Sequence, residues 1–147
     1  MRVAIIGAGA IGAYIGALLA RAGKDVVLFA RGPHLAAMRE GGIHVVGEDE
    51  FAVRPEVTDD IGSIGAADVV MLGVKAHSLS ELAPRLAPII GSDTIVVSTQ
   101  NGIPWWYFDR HGGELEGTRL ERVDPGGVIA RAIDAERILG SIVYFST

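Results

Sequence analysis

The sequence predicts a doubly wound α/β fold of the Rossmann type, with helices on both faces of a mostly parallel sheet. Three observations carry that expectation. Short continuous apolar runs alternate with segments of helical spacing. The first run stops at a glycine-rich loop that opens the first helical segment. The 147 residues are 49% hydrophobic and 21% charged, enough for one globular core.

Val3 to Ile6 is an apolar run ended by Gly7, the pattern of a strand buried on both faces. From Gly9 the period changes: Ile11, Ile15, Leu18, Leu19 and Ala22 recur at helical spacing, and Gly23 suits the residue after the helix. Val26 to Phe29 is a second strand. Strand, helix and strand within about 30 residues make a βαβ unit, whose crossover forces the strands parallel. Pro33 opens a short helix carrying Leu35 and Met38, and Gly41-Gly42 ends it. Ile43–Val46 and Phe51–Val53 flank an acidic, glycine-containing stretch and predict a small hairpin.

Further along, Asp68 to Leu72 and Thr94 to Ser98 read as buried strands. Between them Leu79, Leu82, Ala83 and Leu86 keep helical spacing, with Ser78 and Glu81 placed as a capping box. Pro84 and Pro88 keep that helix short. Residues 110–124 are polar and read as a surface loop. Val128 to Ile133 predicts a short helix and Ile138 to Phe145 a last strand. The whole of 1–147 is expected to be one nucleotide-binding domain. No second, substrate-holding domain is visible, so the chain reads as half an enzyme.

Composition excludes several classes. The formal net charge of −5, without a basic stripe, argues against nucleic acid as a partner. No segment reaches the roughly 20 apolar residues of a membrane span. Cysteine is absent, which removes disulfides, thiolate catalysis and Cys-bound zinc and fits a cytoplasmic location. His34, His44 and His111 share no ligand spacing, so no metal site is expected.

The loop Gly7-Ala8-Gly9-Ala10-Ile11-Gly12 matches Gly-x-Gly-x-x-Gly. With 20 glycines in the chain, about 0.4 such matches arise by chance, so position decides its meaning. It follows a strand and opens a helix, as dinucleotide binding requires. Gly7 allows the turn, Gly9 lets backbone approach a pyrophosphate, and Gly12 lets the helix pack on the strand. The amides of Ala10 and Ile11 then face the phosphates at the helix N-terminus. The second strand ends Leu28-Phe29-Ala30-Arg31, without the carboxylate that usually bonds the ribose 2′-hydroxyl of NAD. A guanidinium there suits a 2′-phosphate and favours NADP(H), the alternative being a solvated arginine.

Gly73-Val74-Lys75-Ala76 and Ser98-Thr99-Gln100-Asn101-Gly102 resemble the ketopantoate reductase family, as do the glycine loop, Arg31 and Asp124-Pro125-Gly126-Gly127. The resemblance covers essentially the whole chain. It implies NADPH-dependent reduction of 2-dehydropantoate to pantoate, on the route to pantothenate and coenzyme A. Lys75 would lie near the nicotinamide and the reacting carbonyl. Gln100 would contact cofactor, and Asn101 cofactor and substrate. Fixed cationic and amide donors there would stabilise the charge that grows on the carbonyl oxygen. Taken alone, Lys75 also reads as a solvated strand end and Asn101-Gly102 as a simple turn. His77 could donate a proton near the site but reads first as a solvent-exposed helix-start residue. Trp105 and Trp106 invite a stacking role but read first as packing residues. The family pattern continues into a helical C-terminal domain, not present here, that supplies the proton-donating lysine and a substrate-binding carboxylate. A small 2-keto acid is the expected partner, with a homodimer open to the full-length protein. Two other readings stay open: a non-catalytic NADP(H)-sensing module, and an NAD- or FAD-dependent relative of the hydroxyacyl-CoA or 6-phosphogluconate dehydrogenases.

Overall fold

The computed structural model describes residues 1–144. Strand β1 (Arg2–Ile6), helix α1 (Ala10–Arg21), β2 (Asp25–Phe29) and α2 (Gly32–Gly41) come first. A hairpin of β3 (Ile43–Val45) and β4 (Phe51–Val53) follows, then β5 (Glu56–Thr58), β6 (Ala67–Leu72), α3 (Leu79–Leu82), β7 (Ile90–Ser98), α4 (Val128–Ala132) and β8 (Ile138–Gly140). Six strands form one sheet in the order β5-β2-β1-β6-β7-β8, and every pairing in it is parallel. Leaving out the antiparallel hairpin, this is the 3-2-1-4-5-6 order of the Rossmann fold. The order reverses between β1 and β6, and ligands of open α/β sheets bind beyond the carboxyl ends at that point.

The two faces of the sheet carry separate cores because side chains alternate along each strand. Val3, Ile5, Val26 and Leu28 pack with Ala17, Leu35 and Ile43 on the α1 side. Ala4, Ile6, Phe29, Val70, Leu72 and Val96 pack with Leu79, Leu82, Leu86, Ile129 and Ile133 on the other. Each fully buried Leu or Ile contributes about 1.5–3 kcal/mol, so both faces are needed to hold the sheet.

Five local expectations change. The stripe of α1 that meets the sheet is Gly12, Gly16 and Ala17, not the large residues at helical spacing. A Cβ on Gly16 would lie 2.9 Å from the Leu28 side chain, so only small residues let α1 approach this closely. Ile11, Ile15, Leu18 and Leu19 are half-buried on its flanks. The Ser78–Glu81 capping box does not form: Ser78 is already helical (φ −86°, ψ −11°), and its side chain caps nothing. The single helix expected there is a 3₁₀ turn at Ala76–Ser78, the short α3, and a second 3₁₀ turn at Ala83–Leu86 that holds Pro84. The edge strand β5 has no counterpart in the expectation. The last strand spans Ile138–Gly140 rather than reaching Phe145, which lies outside the described residues.

Candidate functional site

Beyond the carboxyl ends of β1, β2, β6 and β7 lie two adjoining cavities. The glycines of the loop have different reasons to be glycine. Gly7 sits at φ +109°, a conformation L side chains rarely adopt, and an added Cβ would strike the Val74 side chain and amide. On Gly12 a Cβ would collide with the Gly7 carbonyl oxygen. Gly9 differs from both. Its backbone is ordinary extended structure (φ −73°, ψ −172°), and a Cβ there would meet nothing within 4 Å. No contact inside the described chain requires glycine at that position. The space in front of it is where a non-protein group fits.

Gly9 is also the N-cap of α1. No side chain caps the helix, and no acidic residue stands in its first turn. The positive end of the dipole and its free amides are therefore left to a ligand, and favour an anion. A cavity of about 660 Å³ opens there, lined by Gly7, Gly9, Ala10, Ile11, Lys75 and Gln100, with His77 and Asn101 also on its wall. A smaller one of about 170 Å³ is lined by Gly7, Ala8, Gly9, Phe29, Arg31 and His34. Both share Gly7, Gly9 and Val74, so one long ligand passing over the loop can reach both. Gly12 lines neither and is buried against Gly7.

The strand ends are cross-linked by side chains. Thr99 Oγ1 donates to Leu72 O at 2.8 Å, and Gln100 Nε2 to Val74 O at 2.9 Å. These bonds fix the β6 and β7 ends on which Lys75 and Asn101 sit. Lys75 is exposed and has no ion pair among the described residues. Asn101 is held from two sides: Nδ2 donates to Val143 O at 2.9 Å, and Oδ1 accepts from Val143 N at 3.0 Å. Arg31 is exposed at the mouth of the smaller cavity, with its guanidinium 3.6 Å from Glu81 and 6.0 Å from the Phe29 ring.

Val74 and Thr99 stand in the two family-like motifs without a role expected of them, and both help shape the site: Val74 lines both cavities and Thr99 the larger. Asp124, read as part of a loop, is buried. Its carboxylate accepts from Ile129 N at 2.8 Å and Ala130 N at 3.0 Å, capping α4. Trp105 is buried in the core beside Ile129 and Ile133, and meets Trp106 edge-on at 4.3 Å. Among the described residues no cluster of His, Asp or Glu could hold a metal. No helix among them is long and apolar enough to cross a membrane.

A family model described as ketopantoate reductase PanE/ApbA matches residues 3–104, a span that contains every residue lining the two cavities. The chain belongs to the ketopantoate reductase family. A 2-dehydropantoate 2-reductase of Mesorhizobium japonicum is 47% identical over 146 residues, covering 98% of this chain and 45% of the relative. One from Pyrococcus abyssi is 41% identical over 103 residues, covering 70% and 34%. The crystal structure of a protein assigned as a ketopantoate reductase from Ralstonia solanacearum superposes with a TM-score of 0.92 at 42% identity, over 99% of this chain and 45% of that one. The chain thus spans about half the length of the curated relatives it matches. That membership separates the chain from the hydroxyacyl-CoA and 6-phosphogluconate dehydrogenase families left open by the sequence.

Proposed function

We propose that this chain binds NADP(H) and forms the cofactor-binding half of a cytoplasmic enzyme that reduces 2-dehydropantoate to pantoate. The observation that carries the reading is Gly9: a glycine with no conformational or packing need for one, facing open space at an uncapped helix N-terminus. Such a position fits a pyrophosphate, held by the amides of Ala10 and Ile11 and by the helix dipole. From there the adenosine half reaches toward Phe29 and Arg31, whose guanidinium receives the 2′-phosphate through charge-assisted bonds. The nicotinamide half extends into the larger cavity, toward Lys75, Gln100 and Asn101.

When bound, the cofactor supplies the hydride for the keto carbon. The chain's own residues act on the oxygen, where negative charge grows as the carbonyl is reduced. Lys75 is a cation without an internal partner among the described residues. Asn101 has one amide N–H committed to Val143 and a second without a partner among the described residues, which can donate to a ligand. The Val143 bonds hold that amide in one orientation, so it costs little reorganisation during the reaction. The chain's two lysines are Lys24 and Lys75, and Lys24 follows α1 at the far end of the sheet. We therefore assign proton donation and the substrate carboxylate contact to the helical domain that the family resemblance implies, with a homodimer as the full-length assembly.

Fluorescence titration of the chain with NADPH and NADH tests this reading, using Trp105 and Trp106 as reporters. NADPH should bind at least about tenfold tighter, and Arg31→Ala should abolish the difference. Equal binding of the two nucleotides by the unaltered chain contradicts the assignment of Arg31.

A further inference from the structure

Glu81 is a carboxylate beside a site we read as built for a doubly charged phosphate. It lies on α3, and its Oε1 is 3.6 Å from the Arg31 guanidinium. Four residues further on, Arg85 places its guanidinium 5.9 Å from the Phe29 ring centroid, and Arg31 lies over the same ring at 6.0 Å. Phe29 ends β2 and is only 2% exposed, so the two cations help cover it. Two guanidiniums and one carboxylate, from segments about fifty residues apart in sequence, thus gather at the end of one strand. The Arg31–Glu81 pair is long and its side chains are 53% and 70% exposed, so it adds little to stability and can open readily. A phosphomonoester carries close to two negative charges at neutral pH and outcompetes one carboxylate for a guanidinium.

We propose that Glu81 is the internal occupant of the 2′-phosphate site. It pairs with Arg31 until the 2′-phosphate of NADP(H) displaces it, and Arg85 is the second cation that the phosphate then meets. The inference rests on the reading that Arg31 receives that phosphate. With NAD(H) no phosphate arrives and the Arg31–Glu81 pair stays closed. Glu81 therefore weakens NADP(H) binding without affecting NAD(H), and Glu81 and Arg85 together set how strongly the site discriminates. Both act on specificity from outside the cavities: Arg31 lines the smaller one, whereas Glu81 and Arg85 line neither it nor the cavity that holds Lys75 and Asn101.

The test is titration of the 147-residue chain with NADPH and with NADH, for the unaltered protein, Glu81→Gln, Arg85→Ala and Arg31→Ala, at low and high salt. Glu81→Gln should tighten NADPH about threefold and leave NADH unchanged. Arg85→Ala should weaken NADPH about fivefold, again without effect on NADH. Both changes should shrink at high salt, because the groups are exposed. Damage to the fold would weaken both nucleotides and cannot tighten one. If Glu81→Gln leaves NADPH binding unchanged or weaker while Arg31→Ala abolishes the preference, this inference falls and the reading of Arg31 stands. A preference that survives Arg31→Ala overturns both. If Arg85→Ala leaves NADPH binding unchanged, the role of Arg85 falls.

Discussion

The two ends of the sheet are built on opposite plans. At the amino end charges are matched within the protein. Arg2 donates to both carboxylate oxygens of Asp25 at 3.0 and 3.1 Å, to Glu56 at 2.9 Å and to Ile64 O at 3.0 Å, clamping β1, β2 and β5. These partners hold its guanidinium pKa above the usual arginine value, the Glu56 hydrogen bond contributing most. At the carboxyl end the donors are left open: α1 is uncapped, Lys75 has no ion pair among the described residues, and Arg31 has only a long contact to an exposed carboxylate. Satisfied groups stabilise a fold, whereas open ones on rigid supports bind ligands. One sheet separates the two tasks by strand direction.

That contrast can be broken at single residues. The largest effect is expected at Gly12, whose added methyl would meet the Gly7 carbonyl, a backbone atom that cannot swing aside. Gly12→Ala should cost about 3 kcal/mol and lower the melting midpoint by roughly 10 °C in calorimetry. Arg2→Ala comes next. It leaves Asp25 and Glu56 near each other without their shared cation, and should cost about 1 kcal/mol in a denaturant titration, less at high salt. Nucleotide affinity should not change, since the clamp lies at the opposite end of the sheet. The smallest effect is expected at Glu121. The Gly126 amide, and secondly Arg119, hold its carboxyl below the usual glutamate range. A depressed folded-state pKa stabilises the protein above the unfolded value, and that contribution disappears as pH falls through the lowered one. Glu121→Gln should therefore lower the melting midpoint slightly at pH 7, with the difference vanishing in acid.

The legible parts of the molecule were those whose signal is local. β1, α1 and β2 announce themselves because two apolar runs are separated by a glycine loop and a helical stretch of the right length. The hairpin was readable from Gly47 and its acidic neighbours. By contrast β5 is three residues with a single apolar member, Val57, and is a strand only because β2 offers it an edge. The stripe by which α1 packs was hidden because glycine carries no hydrophobic signal, although Gly12 and Gly16 are one turn apart. Ser78 failed as a cap because the chain turns helical two residues earlier, at Ala76. At the candidate site, Gly7, Gly9 and Arg31 were legible from motif and position, and Lys75, Gln100 and Asn101 from the family resemblance; all six line the two cavities. The Arg31–Glu81 contact and the bonds of Asn101 to Val143 were not legible, since each joins segments more than forty residues apart.

The central claim is that the space before Gly9 belongs to a nucleotide. The direct measurement is Gly9→Ala, assayed together for NADPH affinity by fluorescence and for melting by calorimetry. The same methyl group that should destabilise the fold at Gly12 has room at Gly9. The dissociation constant should rise at least about tenfold, with a melting midpoint within about 2 °C of the unaltered chain. Unchanged affinity, or a loss of stability like that of Gly12→Ala, would contradict it.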